Sequence, residues 1–199
     1  RTILVTYNPD FVGLTCLFSV TGKSLKEVCQ ACRRFRQHTP IAIGGVHVTH
    51  DTASIMADIP EADFAFLHEA ENALIQFLKV VNGRADIDTL GQLIVRIENY
   101  GSFLRLDDSG IQFTNEMRPQ GEDLDVIPPF EIMDIAEHSK YGTLGSWYGF
   151  RYESTRIATV LSNRGCRAAC TFCNVRNFNG KGVRQRSVAA RRLYRRRRG

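Results

Sequence analysis

Apolar and polar positions along the first eighty residues switch repeatedly between two periods. "DFVGLTCLF" (10–18) is a nearly unbroken apolar, β-rich run behind the turn signal "NPD", the pattern of a buried strand. "SLKEVCQACRRFRQH" (24–38) changes to helical spacing, with Leu25, Val28, Cys29, Cys32 and Phe35 on one face. Ser24 stands at the predicted N-cap and Glu27 completes a capping box. "PIAIGGV" (40–46) predicts a second short strand that ends in a glycine pair. "DTASIMADI" (51–59) then predicts a short helix, "ADFAFL" (62–67) a third strand, and "ENALIQFLKVV" (71–81) a helix closed by Asn82-Gly83. Strands alternating with helices imply an α/β unit whose parallel sheet is covered on both faces.

After Gly83 the texture changes. "QLIVRIENYG" and "IQFTNEM" predict short strands joined by turns around "DDSG", and "EDLDVIPPFEIMD" reads as a connector. A new unit is expected near "STRIATVLS" (154–162), a strand that runs into a cysteine cluster. The expected organisation is an α/β domain over 1–83, a β-hairpin connector over 84–153, and a third segment over 154–199.

Charge changes this picture little. The 199 residues carry a formal net charge of +5, but eight arginines lie within 184–199 and the remainder is about −3. Basicity is therefore a property of the tail, and a nucleic-acid partner is not expected from it. With 43% hydrophobic residues the chain can build a core, and no run approaches the roughly 18 apolar residues of a membrane span. The opening "RTILVTYNPD" lacks a signal-peptide layout, so a reducing cytoplasm is the expected compartment.

Candidate chemistry concentrates in "GCRAACTFCN" (165–174), where Cys166, Cys170 and Cys173 form C-x3-C-x2-C. Thiolates are soft ligands suited to iron–sulfur clusters and zinc. Three on one loop can cap three irons of a cubane and leave the fourth open to a small chelating ligand. Zinc sites usually pair C-x2-C units about 12–20 residues apart, a spacing absent here. Cys29 and Cys32 lie inside the predicted helix on its apolar face, and Cys16 in the first strand; all three read as core. Ligands of parallel sheets bind outside the carboxyl ends of the strands. Thr15 and Ser19 after the first strand can hydrogen-bond there, and Gly44-Gly45 after the second is either a strand-ending turn or a close approach for a large flat ligand.

"LSNRGCRAACTFCNVRNFNGKGVRQRS" resembles the start of a radical S-adenosylmethionine (radical SAM) core, with the aromatic Phe172 before the last cysteine. The resemblance implies that Cys166, Cys170 and Cys173 hold a [4Fe-4S] cluster whose open iron chelates S-adenosylmethionine, and that Phe172 lies near the adenine. It further implies reductive cleavage to a 5′-deoxyadenosyl radical, with an electron donor such as flavodoxin or ferredoxin. The preceding block is similar to the cobalamin-binding domain found before many such cores. "PDFVGLTCLFS" matches its second strand with the S/T-x-L element at Thr15 and Leu17, and "PIAIGGVHVT" its glycine-pair strand. By that resemblance Thr15, Leu17, Ser19, Gly44 and Gly45 contact cobalamin. No D-x-H-x-x-G occurs, so no lower axial histidine is assigned, and the family's G-E-x-E is replaced by "HEAE" (68–71), where His68 is as readily hydrogen-bonded as functional.

The fold expected is α/β: a Rossmann-like (flavodoxin-like) parallel sheet lacking its first strand, a small β-rich connector, then the first strand and cluster loop of a truncated radical SAM barrel. The activity implied is cobalamin-dependent radical SAM chemistry, methyltransferase-type or cyclase-type, on a small molecule. The chain is expected to be a fragment of a longer enzyme, inactive alone. Two rivals remain at this point: a non-catalytic cobalamin-binding module, and a zinc- or nucleic-acid-binding protein led by the arginine-rich end.

Overall fold

Strand β2 (Ile41–Gly44) organises the structure because its neighbours bury both of its faces. In the computed structural model, which describes residues 2–86, 93–96, 111–113, 124–126 and 161–190, β2 pairs in parallel with β1 (Val12–Thr15) and β3 (Phe64–Phe66). Side chains alternate across a strand, so Ile41, Ile43 and Ala65 enter one core and Ala42, Phe64 and Phe66 the other. On the first face lie α2 (Gly22–Phe35), through Leu25, Cys29 and Cys32, and α4 (Thr52–Asp58), through Ile55 and Met56. On the second lies α5 (Glu71–Val81), whose Phe77 ring sits 4.8 Å from Phe64 and 5.7 Å from Phe11 and Phe66. The doubly covered parallel sheet expected from the pattern is present.

Several local features differ from the sequence expectation. The opening helix α1 (Thr2–Tyr7) is not one of them, since a helix is expected after the absent first strand, but β1 is shorter than its apolar run. Helix α2 begins at Gly22 rather than after Ser24, because a 3-10 turn, Ser19–Thr21, leads into it. The Thr21 hydroxyl donates to the Phe18 carbonyl instead of capping the helix. A short helix, α3 (Val46–His50), follows the glycine pair, where the sequence reading named no element. The C-terminus of α5 agrees: Gly83, at φ 65°, donates to Val80 O at 2.9 Å, and Arg84 to Lys79 O at 2.7 Å, a Schellman closure.

The connector strands do not stand apart. β4 (Leu93–Arg96) pairs antiparallel with β3, and β5 (Ile111–Phe113) antiparallel with β4, giving the order β1-β2-β3-β4-β5. A flavodoxin-like sheet runs 2-1-3-4-5, so its second and third strands are not neighbours. β1 is bonded to β2 along its length, so β1 takes the third place of such an order and not the second. A second, two-stranded sheet joins β6 (Asn163–Cys166) and β7 (Gly182–Gln185), with α6 (Val175–Asn179) between them in sequence. The expected strand over 154–160 and the arginine-rich end from 191 lie outside the described residues.

The chain divides into two units. One comprises Arg1–Glu122 and Gly165–Gly182; the other comprises Asp123–Arg164 and Val183–Gly199. In the second, buried Arg186 donates from Nε to Leu161 O at 2.7 Å and from Nη1 to Val126 O at 2.9 Å.

Cys29 is fully buried, and desolvation, reinforced by Cys32, pushes its thiol from 9.0 up to about 12. The unfolded chain therefore loses this proton first as pH rises. The contribution to stability is complete below pH 9 and falls between 9 and about 12, by about 1.4 kcal/mol per pH unit at most. Urea unfolding across that window should show a steeper alkaline loss in the native chain than in Cys29→Ala.

Candidate functional site at the carboxyl edge of the sheet

The parallel strands all present their carboxyl ends on one edge, and each ends in a different kind of group. β1 leads into Cys16, whose side chain turns inward with its thiol 3.4 Å from Phe18 O and 3.3 Å from Thr21 Oγ1. The residues around it turn outward. Leu17 is 52% and Phe18 66% exposed, and Thr15 and Ser19 are also in solvent. Large apolar side chains left in water beside a strand end mark a surface suited to an apolar ligand or partner.

β2 leads into Gly44-Gly45, where the backbone turns sharply. Gly45 has φ 104° and ψ 179°, a conformation open essentially to glycine alone. A Cβ there would lie 2.5 Å from Cys16 O and 2.9 Å from Thr15 Oγ1, and one on Gly44 would lie 3.3 Å from Phe66 O. The space beside each glycine is thus taken by the protein itself. The pair serves the turn, in which Cys16 O accepts from the His47 amide at 3.2 Å.

β3 leads into His68 and Glu69. Among sequence readings His68 was open, and the structure gives it hydrogen bonds: its amide donates to Thr49 Oγ1 at 2.9 Å, and Nδ1 lies 2.9 Å from Asn177 O. Glu69 is buried and accepts from Asn179 Nδ2 at 2.6 Å. Spacing gave no sign of this pairing, because the partners are 109 and 110 residues apart.

The cysteine loop leaves β6 at Cys166, after Gly165 turns the backbone at φ 89°. Cys166 is half-buried, and Cys170 and Cys173 are exposed. The Cys173 amide donates to Cys170 O at 3.1 Å, which folds the C-x2-C segment into a turn. Among the described residues no three His, Cys, Asp or Glu side chains are gathered into a group that could hold a metal ion. The donor set itself fits an iron–sulfur cluster: three soft sulfur ligands on one short loop, two of them open to solvent. Phe172 is 91% exposed, so its ring is available to a ligand and takes no part in the core. Cys16, Cys29 and Cys32 are buried, as their positions implied. No helix among the described residues is long and apolar enough to cross a membrane.

The model of the B12 binding domain matches residues 2–78. The chain is also 24% identical over 206 residues to cytidylyl-2-hydroxyethylphosphonate methyltransferase of Streptomyces wedmorensis, covering 94% of this chain and 36% of that protein. Two solved structures of the radical S-adenosylmethionine methyltransferase TsrM from Kitasatospora setae share its fold. The one with tryptophan substrate and the SAM analog aza-SAM bound matches at TM-score 0.58 and 17% identity, over 95% of this chain and 35% of that one. The one with cobalamin and a [4Fe-4S] cluster bound matches at TM-score 0.59 and 15% identity, over 92% and 34%. The chain spans about a third of the length of these relatives. Over residues 2–78 the chain is thus similar to the B12 binding domain, and its fold is shared with the two structures of that radical S-adenosylmethionine methyltransferase.

Proposed function

We propose that this chain is the N-terminal portion of a cobalamin-dependent radical SAM enzyme, acting in methyl transfer or ring formation on a small molecule. The observation that carries the reading is the placement of the cysteine loop, Gly165–Gly182, in one unit with the B12-binding domain. A loop rich in soft ligands packed on a cobalamin-binding sheet is an arrangement that two cooperating cofactors require. Cys166, Cys170 and Cys173 would hold the [4Fe-4S] cluster, their thiols converging as metal is loaded, since a preformed site rarely exists without its metal. Leu17 would give the cobalamin an apolar surface at the strand ends, with Thr15 and Ser19 able to hydrogen-bond beside it. Gly44 and Gly45 would support that surface by shaping its turn. Exposed Phe172 would stack on the adenine of S-adenosylmethionine. When bound, the cluster supplies the electron that cleaves S-adenosylmethionine, and cobalamin carries the methyl group. The protein's part is to orient both and to exclude water. The reading calls for an electron donor such as flavodoxin or ferredoxin and for a reducing compartment, the cytoplasm, in keeping with six free cysteines.

Anaerobic reconstitution tests this. The native chain should take up about four irons and four sulfides, and the Cys166/Cys170/Cys173→Ser variant none. Serine at Cys16, Cys29 or Cys32 should leave iron content unchanged. Stoichiometric zinc without charge-transfer absorption in the native chain would sink the cluster assignment. The absence of a gathered ligand group among the described residues favours, as second reading, a cobalamin-binding module without a cluster. That reading expects cobalamin binding with no iron uptake in either protein.

A further inference from the structure

Helix α6, only five residues long, cannot be stable alone, because isolated helices shorter than about 12 residues are marginal. It packs on α3, and two hydrogen bonds join its residues to the segment after β3. The Asn177 carbonyl can only accept, so His68 Nδ1 carries the proton in the 2.9 Å contact. Asn179 Nδ2 donates to buried Glu69 Oε1 at 2.6 Å. His68 meets the loop with φ 57°, a region non-glycine residues seldom enter, so the surrounding structure holds it there. Its amide is bonded to Thr49 Oγ1 at 2.9 Å, and that hydroxyl donates to Gly45 O at 3.0 Å. A continuous path of hydrogen bonds therefore runs from the glycine turn after β2, through Thr49 and His68, into the segment four residues beyond Cys173.

We propose that His68 and Glu69 are positioning residues that brace the cysteine loop, through Asn177 and Asn179, against the carboxyl edge of the B12-binding sheet. The brace fixes where the loop's thiols stand relative to the cobalamin surface. Its role rests on the proposed cluster reading, but its existence does not need iron. The two bonds hold α6 at Asn177 and at its last residue, Asn179, so the helix can neither fray nor turn without breaking one.

The test is amide hydrogen exchange on the full 199-residue chain without metal. Asn179→Asp sets a second carboxylate against Glu69, and exchange over 174–179 should accelerate by about tenfold or more while α2 and α5 keep their protection. Adding Glu69→Gln restores a donor and an acceptor with their roles exchanged, and protection should return. Unchanged exchange in Asn179→Asp, or no rescue in the double variant, overturns the brace. After anaerobic loading with iron and sulfide, a chelator should strip iron faster from Asn179→Asp than from the native chain and the double variant. The expected exchange pattern with no iron uptake in any of the three would uphold the brace and reject the cluster reading instead.

Discussion

Asp63→Ala is expected to destabilise the chain by about 3–5 kcal/mol, read as a fall in the urea midpoint. Asp63 is fully buried at the amino end of β3, and its Oδ2 accepts from Arg33 Nη2 at 2.6 Å and from the Ile41 amide at 2.7 Å. Arg33 in turn donates to Gln37 O at 2.7 Å, Thr39 O at 3.2 Å and Glu61 O at 2.7 Å. One ion pair therefore closes the amino edge of the sheet by joining α2 to the entries of β2 and β3. Alanine leaves a buried amide without its acceptor and a guanidinium without its counter-charge. An asparagine side chain keeps one acceptor oxygen, so Asp63→Asn should lose less. A midpoint change equivalent to under about 1 kcal/mol for alanine would show that the pair is dispensable.

Gly45→Leu should cost about 3 kcal/mol or more, from backbone strain together with overpacking. The added Cβ would meet Cys16 O at 2.5 Å, a backbone atom that cannot swing aside. Cobalamin binding should be lost along with the local fold, and Gly45→Ala should already lower the urea midpoint. The sequence left this glycine open between a strand-ending turn and an approach for a flat ligand; on the second reading leucine would plug the site in an intact protein. Unchanged stability in Gly45→Ala with loss of cobalamin in Gly45→Leu would restore that view.

The sheet and its two covering layers were legible because their signals are local. Ile41, Ala42 and Ile43 are apolar in succession since both faces are buried, and Leu25, Cys29 and Cys32 recur at helical spacing since one face is. What escaped was decided by a sharp local turn or by contacts distant in sequence. Val46–His50 carries two valines and a threonine, which favour strands, yet Gly45 breaks the chain's direction, and the Thr49 hydroxyl and amide both return to Gly45 O. The apolar β-branched run in Leu93–Arg96 predicts a strand but cannot name its partner, and that partner is β3. Of the candidate site, the thiols were visible as a spacing. The glycine pair was visible, with a turn and a ligand approach both open to it. The His68 and Glu69 contacts left no pattern, since nothing within a helical turn or a strand pair reports them.

The separation of those contacts also bears on how the chain assembles. α1 through α5 complete their parallel sheet within 81 residues, using neighbours in sequence, whereas the cysteine loop must close a span of about 110. Closing long spans is slow because chain entropy is lost before contacts compensate. During synthesis the segment containing β3 and α5 emerges long before the loop. His68 and Glu69 would then stand on a finished surface while Cys166, Cys170 and Cys173 are still being made. On the proposed cluster reading, iron would reach these thiols either on an undocked, fresh chain or on a seated loop, and the timing of docking would decide which.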